Sequence, residues 1–161
     1  VVSFITPDWE HMRKTRHIRL PLFALPLVVT WRVRQTETMI ALIQRVRSAG
    51  VEVDGNSIAD IARGLLVLVG VERGDTETQA KRLAERILNY RVFTDADGKM
   101  NLSVTDIGGE LLLVPQFTLA ADTSSGNRPG FSTAAEPATG AALFEHLLTT
   151  IQHIRIKCIS Y

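Results

Sequence analysis

GLLVLVGV, residues 64–71, is a continuous apolar run of strand length. A strand with one wetted face would show alternating polar residues, so this run predicts a central strand buried on both faces. Upstream, residues 39–46 (MIALIQRV) and 50–55 (GVEVDG) also have strand patterns, and the second reaches the turn signal Asp54-Gly55. The sequence therefore predicts a sheet built around residues 64–71.

Downstream of that run, the hydrophobic period changes from that of a strand to that of a helix. Thr76 and Gln79 have the spacing of a capping box. The apolar residues that follow recur at helical intervals: Ala80, Leu83, Ala84, Ile87 and Leu88. A second helix is predicted over residues 138–153, with an inner face of Leu143, Leu147, Leu148 and Ile151. Strand patterns at residues 90–93 and near the C-terminus complete a mixed α/β (α+β) single domain with a mixed sheet and two main helices.

The composition fits one packed domain. The 161 residues are 45% hydrophobic and 22% charged, with a net charge of +1, and this length suits a single domain with a real core. A protein that grips long nucleic acid by its phosphates is usually distinctly basic, so we expect any nucleic-acid partner to be held over a small area or by one end. Cys158 is the sole cysteine, which predicts a half-buried, inert thiol in a reducing compartment.

Residues 1–38 differ from the rest of the chain, since they hold six of its 18 Lys and Arg and both Trp. Residues 12–31 imitate a secretory signal, but Pro21 and Pro26 interrupt an apolar stretch of about a dozen residues, too short to span a bilayer as a helix. The favoured interpretation is an N-terminal extension outside the fold, with Met39 as the natural start of the domain. An exported or membrane-associated protein is the weaker alternative.

The sequence predicts no metal or cofactor site. DADG, residues 95–98, places its Gly fourth, whereas an EF-hand loop needs Gly in the sixth position, so a plain turn is expected. His11 and His17 lie in the extension, and His146 and His153 lack a third ligand at short spacing. The glycine spacings of phosphate-binding and dinucleotide-binding loops do not occur.

LLLVPQFTLAADT, residues 111–123, reads as a buried strand that polar residues interrupt. If it is a strand throughout, Gln116 and Thr118 share one face while Pro115 and Phe117 lie on the other. Pro115 cannot donate to a ladder, which favours an edge position or the beginning of the strand. A strand with one wetted face explains the pattern as well as a functional site does.

As a site, this stretch suits acyl chemistry. A nucleophilic Thr118 needs a base, and Asp122 is the first ionisable residue after it in the sequence, four residues on. The simpler site uses Gln116, Thr118 and backbone N–H groups as donors to a developing oxyanion, with the nucleophile brought by substrate or water. A base supplied from elsewhere in the fold keeps the nucleophilic role open.

Five segments resemble, in order and spacing, the D-aminoacyl-tRNA deacylases, also called D-tyrosyl-tRNA deacylases. They are MIALIQRV (39–46), GLLVLVGVERGDTE (64–77), NYRVFTDADGKMNLSV (89–104), GGELLLVPQFTLAADT (108–123) and GNRPGFS (126–132). The resemblance implies a cytoplasmic homodimer of mixed α/β fold with active sites at the subunit interface. It also implies a proofreading activity, which hydrolyses the ester between a D-amino acid, or glycine, and the terminal adenosine of tRNA. No cofactor, DNA or membrane partner is implied.

The resemblance also implies roles for particular residues. Pro115, Gln116, Phe117 and Thr118 fall on the family segment that lines the pocket for the terminal adenosine and aminoacyl group, which makes Gln116 and Thr118 the expected catalytic residues. The Thr is either a nucleophile or a positioning group assisted by the ribose 2′-hydroxyl, and the lack of a nearby base favours the second.

Three further residues are expected to bind substrate by the same resemblance. Arg45 is implied to anchor the chirality-reading loop across the dimer, and Met100 and Asn101 fall on a pair near the site. Many family members have Ser where this chain has Pro115, and Ser is common where Gly130 stands.

The C-terminal part departs most from the family. The resemblance runs from residue 39 to about residue 153. Family members end with an N-x-G-P-x-T motif, whose main-chain carbonyls exclude L-amino acids. This chain contains no Gly-Pro dipeptide, so the motif has no counterpart here. This favours a domain over residues 39–161 that is C-terminally incomplete. The alternative function is then a catalytically impaired fragment that binds the tRNA end or a partner subunit.

Overall fold

The computed structural model describes residues 16–19, 28–29, 39–124, 128–153 and 158–160. Within these residues the strands are β1 (Arg16–Arg19), β2 (Val28–Val29), β3 (Ile40–Val46), β4 (Ala49–Val53), β5 (Asn56–Ile61), β6 (Gly64–Gly70), β7 (Phe93–Thr94), β8 (Met100–Leu102), β9 (Glu110–Pro115) and β10 (Cys158–Ser160). The helices are α1 (Glu77–Asn89), a 3-10 helix (Phe117–Ala120) and α2 (Pro137–Gln152). The predicted mixed α/β domain with two main helices is confirmed.

The largest sheet has β6 at its centre, in the order β10-β9-β6-β3-β2. Strand β6 pairs parallel with β9 and antiparallel with β3, and β10 pairs parallel with β9, so the sheet is mixed. All seven residues of β6 are buried. The prediction of a central strand buried on both faces is confirmed.

Alternate side chains of β6 enter two different apolar clusters. Leu65, Val67 and Val69 pack towards the helices, in a cluster that also contains Ala80, Ala84, Ile87, Leu143, Leu147 and Ile151. Leu66 and Leu68 pack on the opposite face with Val51, Ala59, Ile61, Leu112 and Val114. Because both faces of the strand are covered by protein, no position along it tolerates the polar residues of a half-exposed strand.

The second sheet has the order β1-β4-β5. Its predicted turn is confirmed, since Asp54 and Gly55 have φ angles of 50° and 80°, as a tight two-residue hairpin requires. Strand β1 pairs with β4, and β2 pairs with β3. Residues 16–19 and 28–29 are therefore paired with strands of the two sheets. The other residues of the segment 1–38 lie outside the described part of the chain, and for them the interpretation as an extension outside the fold stays a prediction.

The helices follow their sequence signals. The backbone N–H of Thr76 donates to Oε1 of Gln79 at 2.9 Å, which satisfies one donor at the start of α1. The buried residues of α1 are Ala80, Ala84, Ile87 and Leu88, and those of α2 include Leu143, Leu147, Leu148 and Ile151. Helix α2 begins at Pro137, and proline suits a first turn because its missing N–H has no helical partner there.

The strand expected over residues 111–123 ends earlier than predicted. Strand β9 stops at Pro115 and the 3-10 helix begins at Phe117, so Gln116 and Thr118 do not share a strand face. The backbone N–H of Gln116 donates to the carbonyl of Val69 at 2.7 Å, but β6 itself ends one residue later, at Gly70. Beyond Gly70, β6 offers the chain after Pro115 no further backbone partner, and that chain turns.

The expected position of Pro115 was also wrong. Pro115 is the last residue of β9, which lies between β6 and β10 rather than at an edge. The described pairing of β9 with β10 covers Leu111 to Leu113 only, so Pro115 lies beyond that ladder and its missing donor costs no described hydrogen bond.

A glycine allows β6 to approach β9. A Cβ atom built on Gly64 would lie 1.8 Å from the carbonyl oxygen of Glu110. Since that neighbour is backbone, Gly64→Ala is expected to push the two strands apart and to lower the free energy of unfolding by about 2 kcal/mol or more, measured by urea denaturation.

Gly130→Ala is the matched control, because the nearest atom to its Cβ would be the carbonyl oxygen of Asp122, at 3.8 Å. We expect it to change the free energy of unfolding by less than about 0.5 kcal/mol. Equal stability of the two variants would contradict the close approach of β6 and β9.

Candidate active site

A cavity of about 260 Å³ opens where β6 and β9 end. Its walls come from these strand ends, the segment 115–117, Ala135 and one side of α2. The lining residues are Val69, Val71, Pro115, Gln116, Phe117, Ala135, Gly140, Ala141, Phe144 and Glu145. Mostly apolar walls with a few polar groups are typical of a small-molecule site, and strand ends in α/β proteins are a common place for one.

Gln116 lines this cavity, and Thr118, which does not line it, is hydrogen-bonded to Gln116. The Nε2 atom of Gln116 donates a hydrogen bond to Oγ1 of Thr118. Because the hydroxyl oxygen accepts that bond, its hydrogen remains available to donate elsewhere. Thr118 is exposed, so that donor is accessible. The predicted proximity of the two polar groups is therefore found, although a turn brings them together rather than a strand face.

The amide oxygen of Gln116 is the second polar feature of the site. Oε1 is buried and, among the residues the structure describes, has no hydrogen-bond partner. A buried acceptor without a partner is costly, and such groups are unusual enough in folded proteins to need an explanation. Because the atom has almost no accessible surface, a ligand donor reaches it only after the Gln116 side chain moves.

Within the described part of the chain, the Thr118 side chain is hydrogen-bonded to the Gln116 amide, and no hydrogen bond joins it to a carboxylate, imidazole or amine. An amide does not remove a proton from a hydroxyl, whereas a nucleophilic Thr needs a general base. This arrangement favours a donor role for Thr118 over a nucleophilic one.

Arg45 lies away from the cavity within one chain. On the sheet, Arg45 is opposite Leu65, whereas Pro115 is opposite Val69, four residues further along β6, or about 13 Å. The Nη1 atom of Arg45 donates to the carbonyl oxygen of Val92 at 2.6 Å. Arg45 therefore supports the segment before β7, and its role across a dimer stays a prediction.

Met100 and Asn101 lie on β8, and neither lines the cavity. Nδ2 of Asn101 donates to Oδ2 of Asp95 at 2.7 Å, while Oδ1 of Asp95 accepts from the backbone N–H groups of Asp97 and Lys99, both at 2.9 Å. Together these bonds hold the pKa of Asp95 below its usual value, the Lys99 bond contributing most. Residues 95–98 thus form a turn, and the substrate-binding roles of Met100 and Asn101 stay predictions.

Sequence reasoning missed the contribution of α2 to the cavity. Gly140, Phe144 and Glu145 line it, and only a leucine-rich face packed on the core was predicted for this helix. The available signal was Gly140, because glycine inside a helix costs about 1 kcal/mol relative to alanine and usually has a packing or functional reason.

The described residues contain no group of three or more His, Cys, Asp or Glu side chains placed to hold a metal ion. None of their helices is long and apolar enough to cross a membrane.

Fold and cavity together define a mixed α/β protein with a ligand pocket at the ends of its central strands. Residues 42–160 match the family model described as D-Tyr-tRNA(Tyr) deacylase. The D-aminoacyl-tRNA deacylase of Thioalkalivibrio sulfidiphilus is 62% identical over 111 residues, 69% of this chain and 74% of the relative. That of Pseudomonas fluorescens is 60% identical over 122 residues, 76% of this chain and 84% of the relative. The chain belongs to the D-Tyr-tRNA(Tyr) deacylase family.

Two solved structures share the fold of this chain. One named c-Myc DNA Unwinding Element Binding Protein is 35% identical, with a TM-score of 0.69 over 75% of this chain and 83% of that chain. A probable eukaryotic D-amino acid tRNA deacylase is 18% identical, with a TM-score of 0.63 over 73% of this chain and 68% of that chain. The second likeness shows the fold alone.

Cys158 is predicted to be unreactive in the folded protein. It is partly buried, as expected from the sequence, and this burial raises the pKa of its thiol to about 12. Because the thiolate is the nucleophile, alkylation by iodoacetamide at pH 8 should be roughly three orders of magnitude slower than for an ordinary cysteine. Mass spectrometry over time measures this rate. The chain unfolded in urea is the control, and equal rates in the folded and unfolded states would contradict the burial.

Proposed function

We propose that this chain hydrolyses the ester bond of D-aminoacyl-tRNA, and of glycyl-tRNA mischarged on other tRNAs, releasing free amino acid and tRNA as a proofreading activity. The observation that carries the proposal is the hydrogen-bonded pair of Gln116 and Thr118 beside a cavity, in a chain of the deacylase family. Its relatives from Thioalkalivibrio and Pseudomonas are named for this substrate.

The chemistry requires a donor where negative charge develops. Water adds to the ester carbonyl carbon, the bond to the ribose oxygen breaks, and that oxygen leaves with a proton. In the transition state the carbonyl oxygen becomes an oxyanion, which a preorganised donor stabilises. We assign that donor role to the hydroxyl of Thr118, whose oxygen accepts from the Gln116 amide and whose hydrogen is left to donate. The ribose 2′-hydroxyl assists, so no protein base is needed next to Thr118.

The cavity fits one part of an aminoacyl-adenosine. Its volume of about 260 Å³ is below the range of about 300–1,000 Å³ that is usual for pockets enclosing a drug-sized ligand. We infer that one chain encloses one end of the substrate, and that the other end lies against a second copy in a homodimer. Arg45 is distant from the cavity of its own chain, which suits a contact across that dimer.

The partner in this proposal is the 3′ end of a charged tRNA, and the place of action is the cytoplasm. A net charge of +1 suits a protein that holds one RNA end by a few phosphate contacts. A binding fragment without turnover is not favoured, because the amide and the hydroxyl proposed for catalysis are both present and paired.

The direct test uses the 161-residue chain with tRNA charged with D-tyrosine and, in parallel, with L-tyrosine. We expect free tyrosine to be released from the D ester, because the donor pair is in place. Release from the L ester at the same rate would retain the ester hydrolysis but remove chiral proofreading. Release from neither would contradict the proposed function.

The donor role of Thr118 is tested by substitution. Thr118→Val keeps the shape of the side chain and removes the hydroxyl, so kcat/KM for D-tyrosyl-tRNA should fall about 100-fold, the usual loss for an oxyanion donor. Thr118→Ser is the matched control and should retain most of the activity. Unchanged kinetics in the Val variant would remove Thr118 from the mechanism, and a burst of acyl-enzyme in the wild type would make it a nucleophile instead.

A further inference from the structure

Phe131 is an exposed aromatic residue to which the proposed chemistry gives no role. Its exposed fraction is 43%, and only Ile58 and Met100 are comparable large apolar side chains among the described residues. A single exposed apolar residue is ordinary on a protein surface and needs no explanation by itself. Phe131 differs from an ordinary exposed residue because it packs against Phe117, which lines the cavity.

The ring of Phe131 packs against the wall of the cavity. Its centroid lies 5.3 Å from that of Phe117, with the ring planes tilted by 54°, and Phe117 lines the cavity. The two rings are in the distance range of a favourable aromatic pair. They form a continuous aromatic surface that leads from the cavity to the outside of the protein.

This surface is held in place from both sides. The backbone groups of Asp122 and Gly130 exchange two hydrogen bonds, at 2.7 and 2.9 Å, and the carbonyl of Phe131 accepts from the N–H of Ala134 at 3.1 Å. Two residues further on, the hydroxyl of Thr133 donates to the carbonyl of Ala120 at the end of the 3-10 helix. A ring on a fixed backbone loses little freedom when a ligand covers it, which favours binding.

We propose that Phe131 is a stacking platform for the nucleobase that precedes the terminal nucleoside of a single-stranded RNA 3′ end. The inference rests on the proposed function, which assigns the adjoining cavity to the end of a charged tRNA. Every base has an apolar π face, and stacking on an exposed aromatic ring is a general way to hold unpaired RNA. Arg128 is exposed on the same loop, where its charge suits the phosphate between the two nucleotides.

The test compares two uncharged probes, the RNA trinucleotide CCA and adenosine 5′-monophosphate. Phe131→Ala should weaken CCA binding about ten-fold while changing the dissociation constant of the mononucleotide less than two-fold, because the mononucleotide has no preceding base. Phe131→Trp should bind CCA at least as tightly as the wild type. Ile58→Ala, an equally exposed apolar position on β5, is the matched control and should alter neither constant.

A spectroscopic signal reports stacking directly. With 2-aminopurine in place of the second base of the trinucleotide, its fluorescence should be quenched by the wild type and by Phe131→Trp, and much less by Phe131→Ala. Equal quenching by the wild type and Phe131→Ala would overturn the proposal. Equal losses for CCA and the mononucleotide would also overturn it, because Phe131 would then only shape the cavity.

Two further outcomes separate this inference from its alternatives. If Phe131→Ala dissociates a dimer in sedimentation experiments while CCA binding is unchanged, the residue belongs to an interface between copies and the proposal is overturned. If the wild type fails to hydrolyse D-tyrosyl-tRNA, the proposed function fails. The CCA and mononucleotide constants still decide the role of Phe131 in that case, because neither probe is cleaved.

Discussion

The parallel pairing of β6 with β9 is the constraint on which the rest of the structure depends. Its register places Val69 opposite Pro115, and the N–H of Gln116 then makes the final bond, to the carbonyl of Val69. Glycines at both ends of β6 permit its close contacts. At one end, a Cβ on Gly64 would collide with the backbone of β9. At the other, a Cβ on Gly70 would lie 2.9 Å from the Cβ of Leu119 in the 3-10 helix. A slip of one residue would exchange the two buried faces of the strand, so the apolar clusters on both sides fix this register.

The interruption of an apolar strand by Gln116 and Thr118 follows from that constraint. These residues come after the ladder has ended, in a turn beside a cavity, so neither must be accommodated on a buried strand face. One polar atom nevertheless remains buried, the Oε1 of Gln116. A folded chain retains such an atom at a cost in stability, and a binding role explains why the cost is accepted.

The features that the sequence predicted correctly are those with local signals. An unbroken apolar run marks β6, the spacing of Thr76 and Gln79 marks the start of α1, and a 3.6-residue period marks the buried faces of both helices. The end of β9 had no such signal, because the length of its neighbour sets it: β6 stops at Gly70, and the ladder stops with it. The position of Pro115, at the end of β9, depends on the same pairing with β6.

The candidate site was predictable only in part. Residue types and the family resemblance identified Gln116, Phe117 and Thr118. Arg45 was also expected to bind substrate, but the pairing of β3 and β9 with β6 places it about four residues away from them along the sheet within one chain. The wall contributed by Gly140 and Phe144 depends on how α2 packs over the strand ends, which the period of a helix does not reveal. Proximity between residues distant in sequence is set by packing, whereas sequence patterns report only neighbours along the chain.

The most direct test of the account is a crystal structure of this chain with a non-hydrolysable substrate analogue, 3′-deoxyadenosine carrying D-tyrosine on a 3′-amino group. We expect the analogue to occupy the cavity beside Phe144, with its amide carbonyl oxygen about 3 Å from Oγ1 of Thr118. An analogue bound elsewhere, or bound with its carbonyl turned away from Thr118, would contradict the account.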